Sequence, residues 1–356
     1  MYQPKFSISN EILANIGLVE AAKEVIENAA LVPIYEARFV KDAILRTVHH
    51  GTHIEGNDLS ITEARKVIEG EGVAGRDRDV QEVINYRRVV DYLEKIAPPK
   101  EQPAVEYTQP MLKEINRLAG ERIITDGRAG EYRQAQVVLK NSRTGEIIFR
   151  PPPAIEVPFL LEDFFRWLNS ASAKKFHPVL RAGICHYVLV AIHPFVEANG
   201  RTARAFATLI LYTENYDIRK FFSLEEYFDK DAGRYYQAMG EVDRQDKDLT
   251  RRDLTPWLEY FTQAMAVELS RVKEKVKRLS VDLKMKGRIG HQIPLNERQI
   301  KLMEYLQENG SLTTVGARSV VPEYSDDTLT RDFNYFLKRG IIKKEGKTKA
   351  AKYILK

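Results

Sequence analysis

The sequence holds one cysteine, Cys185, in 356 residues. A single thiol excludes an intramolecular disulfide and disfavours a cysteine-based zinc site. It fits a reducing compartment, so the expected location is cytoplasmic. Long hydrophobic runs are also missing. The longest, Tyr187 to Ile192, is far shorter than the roughly 20 residues a spanning helix needs, which predicts no membrane segment. The first residues, MYQPKFSISNEILANIG, lack the basic-then-apolar layout of a secretory signal. There is no internal repeat and no low-complexity tract. What is present fits a globular protein: 44% hydrophobic and 29% charged residues, a net charge of +5 and a sequence pI near 9.0. A chain of 40.9 kDa predicts two or three domains. The mild basic excess permits contact with phosphates or nucleic acid without requiring it.

Most of the chain reads as helix. EARFVKDAILRTVHHGTHIEG spaces Phe39, Ala43, Ile44, Val48 and Ile54 helically. SITEARKVIEG is a short helix that Ser60 or Thr62 could cap and Gly70 could stop. DVQEVINYRRVVDYLEKI follows with Val80, Val83, Ile84, Val89, Val90 and Leu93 inward, ending at Pro98-Pro99. QPMLKEINRLAG has Pro110 near its first turn and Gly120 as its expected C-cap. Two β-rich runs, Gln136–Leu139 and Glu146–Phe149, then form a hairpin around Asn141–Gly145. Helices resume through DLTPWLEYFTQAMAVELSRVKEKVKRLS, whose tail turns basic. Beyond Pro294, Asn296 and Gln299 form a capping-box signature, and three helices precede a basic strand–turn–strand. That outline matches a winged helix-turn-helix. The expected fold class is mainly α, with one β-hairpin and a C-terminal winged helix. The expected divisions are 1–100, 101–280, a linker at 281–293, and 294–356.

The densest chemistry lies in HPFVEANGRTAR, His193 to Arg204, between two apolar segments expected to be buried helices. A loop entering a helix N-terminus is an anion site, because free N–H groups and the helix dipole favour negative charge. Asn199 and Gly200 tolerate the backbone angles of such a nest. Arg201 and Arg204 share one face of the first turn and can hold two neighbouring phosphates. Glu197 belongs beside phosphates if Mg²⁺ bridges them. His193 can take a proton from an attacking hydroxyl. The set describes phosphoryl or nucleotidyl transfer from a nucleoside triphosphate.

HPFVEANGRTAR resembles the signature of the Fic family, H-P-F-x-(D/E)-G-N-G-R-x-x-R, with Ala198 where glycine is commonest. The resemblance runs from about Pro33 to near Leu279. It implies a protein adenylyltransferase, which moves AMP from ATP to a Ser, Thr or Tyr hydroxyl. By that resemblance His193 is the base and Glu197 holds Mg²⁺. Asn199, Gly200 and Arg201 cradle the α- and β-phosphates, and Arg204 holds the γ-phosphate. The hairpin Tyr132–Phe149 matches the flap that clamps a target segment by strand addition.

HIEGN resembles the family's inhibitory motif, (S/T)-x-x-x-E-(G/N), which makes Glu55 the inhibitory glutamate. Gly51 stands where Ser or Thr is expected, and Thr52 is one residue off. An acid beside Arg204 removes the γ-phosphate's partner. Relatives with this glutamate can also remove AMP. His49, His50 and His53 invite a metal reading, but exposed or capping histidines suit the sequence better. In the C-terminal module Thr328, Thr330, Arg331 and Asn334 could reach base edges, and Lys343, Lys344, Lys347, Lys349, Lys352 and Lys356 could meet phosphates. Asp326, Asp327 and Asp332 oppose DNA on the same helix, so DNA and protein partners stand side by side. Two rival functions remain: a winged-helix regulator whose core only senses nucleotide, and transfer of another group such as UMP or phosphocholine. The target protein and the oligomeric state, a homo-oligomer included, stay open.

Overall fold

A computed structural model of the protein describes residues 2–29, 31, 33–97, 105–124, 127–140, 147–279, 295–346 and 351–356. The expected turn at Asn141–Gly145, Pro98-Pro99, the linker 281–293, Lys347 and Lys349 lie outside them. The fold is mainly α. The chain divides into two compact units, residues 1–27 with 38–272, and residues 28–37 with 273–356.

The first unit starts with α1 (Asn10–Glu27), an element the sequence reading passed over. Then come α2 (Pro33–His53), which belongs to this unit from Arg38 onward, α3 (Ile61–Ile68), α4 (Asp77–Ile96) and α5 (Gln109–Gly120). Ser60 caps α3 in a reciprocal capping box with Glu63, as its sequence allows. Gly120 does not cap α5; it is the last helical residue, and a Cβ there would stand 2.4 Å from the Ile124 side chain. Close packing, not a left-handed turn, explains that glycine. Gln136 to Val138 of the expected first run are not strand; among the described residues β1 (Leu139–Lys140) pairs antiparallel with β2 (Ile147–Phe149), with a register shift between Leu139 and Lys140.

After α6 (Val157–Leu168), α7 (Pro178–Ile192) and α8 (Asn199–Thr213) form the centre. Nearly every side chain of α7 is buried, so it cannot read as amphipathic. The unit closes with α9 (Leu224–Lys230), α10 (Ala232–Asp243) and α11 (Thr255–Leu279) as far as Val272. Trp257 on α11 donates from Nε1 to the Gly183 carbonyl of α7 at 2.7 Å. Asn85 on α4 donates to the Ala119 and Glu121 carbonyls, tying α4 to the end of α5. One expectation fails on α4: Ile84 is 38% exposed, while Asp79, Glu82, Asn85 and Tyr86 are buried. The inward face of α4 is therefore partly polar.

The C-terminal part of the second unit contains α12 (Glu297–Asn309), β3 (Leu312–Thr313), α13 (Thr314–Val320), α14 (Asp326–Lys338), β4 (Ile342–Glu345) and β5 (Lys352–Leu355). The Asn296–Gln299 capping box forms, and Gly310 ends α12 in the left-handed region. The strands order as β3-β5-β4, all antiparallel, so the expected hairpin gains a third strand. Its core holds Leu302, Leu306, Leu329, Phe333 and Phe336, with Phe333 stacked on Tyr353. Among the described residues no helix is long and apolar enough to cross a membrane.

Candidate active site

The site lies where α7 ends and α8 begins. His193 is the C-cap of α7 and adopts left-handed angles, φ 52° and ψ 60°. Its Nδ1 lies 3.2 Å from the Val190 carbonyl. That acceptor assigns the proton to Nδ1 and leaves Nε2 with a free lone pair. Burial pushes the His193 imidazole down to about 4, so it is neutral near pH 7. A neutral imidazole with a bare Nε2 is the state a general base needs.

Ala198 is the N-cap of α8, at φ 61° and ψ 23°. Its side chain offers no cap, so the first N–H groups of α8 remain for another acceptor until Thr202 donates to the Ala198 carbonyl. The side chain of Asn199 is not available to a ligand. Its Oδ1 accepts from the Phe195 N–H and its Nδ2 donates to the Phe195 carbonyl, both at 2.9 Å. Asn199 thus closes the loop on itself and offers only its backbone N–H outward. Asn116 of α5, fully buried, donates to the Glu197 carbonyl at 3.0 Å and to Thr202 Oγ1 at 3.1 Å. Arg133 donates to the His193 carbonyl at 2.8 Å and to the Pro152 carbonyl at 2.6 Å, joining the loop to the base of the hairpin. Sequence reasoning passed over Asn116 and Arg133, since each acts through a distant backbone carbonyl that no local pattern marks.

Arg201 and Arg204 are almost fully buried. Glu55 bridges them. Its Oε2 accepts from Arg201 Nε and its Oε1 from Arg204 Nη2, each at 2.8 Å. Burial pushes the Glu55 carboxyl up, but the two guanidiniums outweigh it and hold it below the usual carboxylate range. Gly200 permits this approach: a Cβ there would lie 2.5 Å from Glu55 Oε1. Arg204 Nη2 also donates to the Gly51 carbonyl at 2.8 Å. The unexpected Gly51 now has a reason, because a Cβ there would sit 2.2 Å from the Tyr86 ring. Thr52 spends its hydroxyl on the Val48 and His49 carbonyls of its own helix. His50 and His53 both place Nδ1 on Asp229, at 2.7 and 2.8 Å, which pins the end of α2 to α9. Among the described residues no group of three or more metal-binding side chains occurs, these histidines included.

Two further observations bear on anions and cations. Among the described residues Arg201 Nη1 and Arg204 Nε are buried without a hydrogen-bond partner. Buried donors without acceptors are costly, and a phosphate would satisfy them. Glu197, whose side chain is 36% exposed, is ion-paired with Arg78 of α4. A single half-exposed carboxylate beside a phosphate nest fits Mg²⁺, which takes one or two carboxylates plus phosphate oxygens.

Fold and site together define a helical protein whose central loop, between α7 and α8, sets a histidine and two buried arginines around a helix N-terminus. The Fic/DOC family model matches residues 106–211, which contain the loop and both flanking helices. Over that span the chain is similar to the Fic/DOC family. It is 31% identical over 195 residues to the protein adenylyltransferase Fic of Drosophila grimshawi, covering 52% of this chain and 38% of that protein. For the protein of the same name in Drosophila erecta the figures are 32% over 192 residues, 53% and 35%. The chain thus spans little more than a third of the length of the curated relatives it matches. A Fic family protein from Desulfovibrio desulfuricans G20 superposes with a TM-score of 0.67 at 21% identity, covering 100% of this chain and 98% of that one. Fic-1 from C. elegans gives 0.59 at 24% identity, covering 74% and 73%. These two likenesses are of fold.

Proposed function

We propose that this chain is an ATP-dependent protein adenylyltransferase, a nucleotidyltransferase held inactive by Glu55. One observation carries the reading: a neutral His193 with a free Nε2 stands beside a helix start whose two buried arginines hold a carboxylate. The named relatives support the choice of AMP as the group moved.

In this mechanism the backbone N–H groups of Asn199, Gly200 and Arg201 hold the α- and β-phosphates of ATP, and Arg204 holds the γ-phosphate. Glu197 would hold Mg²⁺, which when bound neutralises phosphate charge. His193 Nε2 takes the proton of a Ser, Thr or Tyr hydroxyl on the target or on the chain itself. That oxygen bonds to the α-phosphorus, the bond from phosphorus to the bridging oxygen breaks, and pyrophosphate leaves. The chain's work is positioning and charge stabilisation. The hairpin, anchored at its base by Arg133, presents a strand edge that clamps the target segment. Glu55 takes the arginine that the γ-phosphate needs, so ATP binds misplaced. Removal of AMP by a water that Glu55 orients is the same site's second use.

The test is transfer from ATP labelled at its α-phosphate. The Glu55→Gly protein should label itself strongly and the parent weakly; two equal signals defeat the clamp. The mass gained with different triphosphates decides between AMP and UMP, and no gain with any of them favours a nucleotide sensor.

For the C-terminal module we infer a winged helix that contacts DNA. Two of the three acids that opposed this reading are occupied, while Asp327 stays exposed. Asp332 is buried and paired with Arg298, and Asp326 is paired with Arg318. Thr330, Arg331 and Asn334 are exposed along α14, with Lys343 and Lys344 exposed on β4. A mobility shift with random duplex at low salt checks it. We keep the divisions 1–100, 101–280, 281–293 and 294–356 as our working organisation, with the protein in the cytoplasm.

A further inference from the structure

The charges around the loop form a chain that extends past Glu55. Arg204 and Arg201 meet Glu55. Arg201 Nη2 also lies 3.4 Å from Glu82 Oε1. That same oxygen is 3.2 Å from Arg78 Nε, and Arg78 ends the chain on Glu197. The order is Arg204, Glu55, Arg201, Glu82, Arg78, Glu197, alternating in sign throughout. Glu82 is buried, and Asn57 holds its other oxygen at 3.0 Å. Arg78 belongs to the first turn of α4, one turn before Glu82.

We propose that Arg78 is a resident substitute for the metal ion at Glu197, making α4 a second inhibitory element beside Glu55. This rests on the adenylyltransferase reading of the site. Each resident group has the charge of what the nucleotide would bring. Glu55 and Glu82 stand where phosphate charge is expected, and Arg78 stands where the cation is expected. A guanidinium bound to Glu197 competes with a divalent ion, since both need the same carboxylate oxygens. When Arg78 leaves Glu197 it retains Glu82, its neighbour at i+4 on the same helix, so release leaves no unpaired charge. Magnesium and ATP together would then undo the lock at both ends, and neither alone would do so as well.

The experiment titrates Mg²⁺ against ATP binding by calorimetry, using the full chain. It compares the parent, Arg78→Ala, Arg78→Lys and Arg76→Ala. Arg76 is the control: it lies on the same surface but pairs with Asp79 and Asp58. Both partners of the Arg78–Glu197 pair are partly exposed, so the expected effect is modest. Arg78→Ala should lower the Mg²⁺ concentration at half-saturation by about threefold to fivefold. Arg78→Lys, which keeps the charge, should restore most of the parent's dependence, and Arg76→Ala should leave it unchanged. Binding of Mn²⁺ alone, counted by electron paramagnetic resonance, should tighten in the same order. An unchanged dependence in Arg78→Ala overturns the proposal. So does an equal shift in Arg76→Ala, or weaker ATP binding in Arg78→Ala at every Mg²⁺ level. If ATP binds no variant, the reading of the site falls and this inference with it. If ATP binds all of them alike, the inference alone falls.

Discussion

Two helix ends meet at this site, and they differ in how they treat negative charge. The start of α8 is suited to an anion: its N–H groups are free, its dipole is positive, and Arg201 and Arg204 follow at once. The end of α2 is the opposite. Glu55 stands two residues past His53, where the dipole of its own helix disfavours a carboxylate. Glu55 is tied locally through its backbone N–H, which donates to the Thr52 carbonyl at 3.0 Å, and its carboxylate reaches further. It is stabilised by arginines belonging to the other helix, which lie 146 and 149 residues away in sequence. On the proposed reading the loop is a permanent anion site and Glu55 a conditional occupant. A ligand that satisfies the arginines better removes the reason for Glu55 to stay.

The largest effect should come from the permanent side. In a Glu55→Gly background, His193→Ala should reduce transfer on the order of 10² to 10⁴-fold while ATP still binds. A lost ATP affinity would show instead that His193 holds the loop's shape. Acid dependence sharpens this. His193 is already depressed to about 4, and the Glu55 charge, which raises it, is absent in this background. The rate should stay flat where an ordinary histidine titrates, near 6.5. An acid limb centred there would mean that the imidazole is more solvated than its burial indicates.

Next comes the conditional side. Glu55→Gly should raise transfer on the order of 10²-fold, the scale expected for correcting phosphates misplaced by about 1 Å. It should also weaken the fold by about 1–3 kcal/mol, because two buried guanidiniums lose their acceptor. ATP should then raise the melting temperature of this variant more than that of the parent. Equal shifts in both would show that Glu55 does not compete with the nucleotide.

Gly51→Ser separates inheritance from packing. It writes the family's expected residue into this chain, yet the new Cβ would fall 2.2 Å from the Tyr86 ring. Overpacking should cost about 1–3 kcal/mol and displace the Gly51 carbonyl from Arg204. A variant as stable as the parent would show that Tyr86 moves freely and that Gly51 carries no packing role.

The same contrast explains what was legible beforehand. The helices that read well were those with a periodic apolar face and local caps, such as α3 with Ser60 and α12 with Asn296. The loop stood out because its polar residues are contiguous in the chain, from His193 to Arg204. Glu55 stood out only through its resemblance to a family motif, and α4 needed the fold itself. Asp79, Glu82 and Asn85 look like a solvated face in sequence, and they turn inward only because α5 and the site cover them. Arg78 gave no signal for the same reason, since its partner Glu197 is 119 residues away. Gly120 was misjudged because a glycine at a helix end admits two explanations, a turn or a close contact, and only packing separates them.

The smallest expected effect lies at Ala198, where three terms nearly cancel. Left-handed angles cost a non-glycine residue about 1–2 kcal/mol, which Ala198→Gly would relieve. Against that, glycine adds freedom to the unfolded chain worth about 0.4–1 kcal/mol. The Ala198 methyl is also buried, and losing it costs about 0.8 kcal/mol more. The net change should fall within about 0.5 kcal/mol, read from the denaturant midpoint at constant slope. A clear gain would mean that backbone strain outweighs the methyl's packing, and a clear loss the reverse. Either result would say whether the permanent anion site is held under tension or at rest.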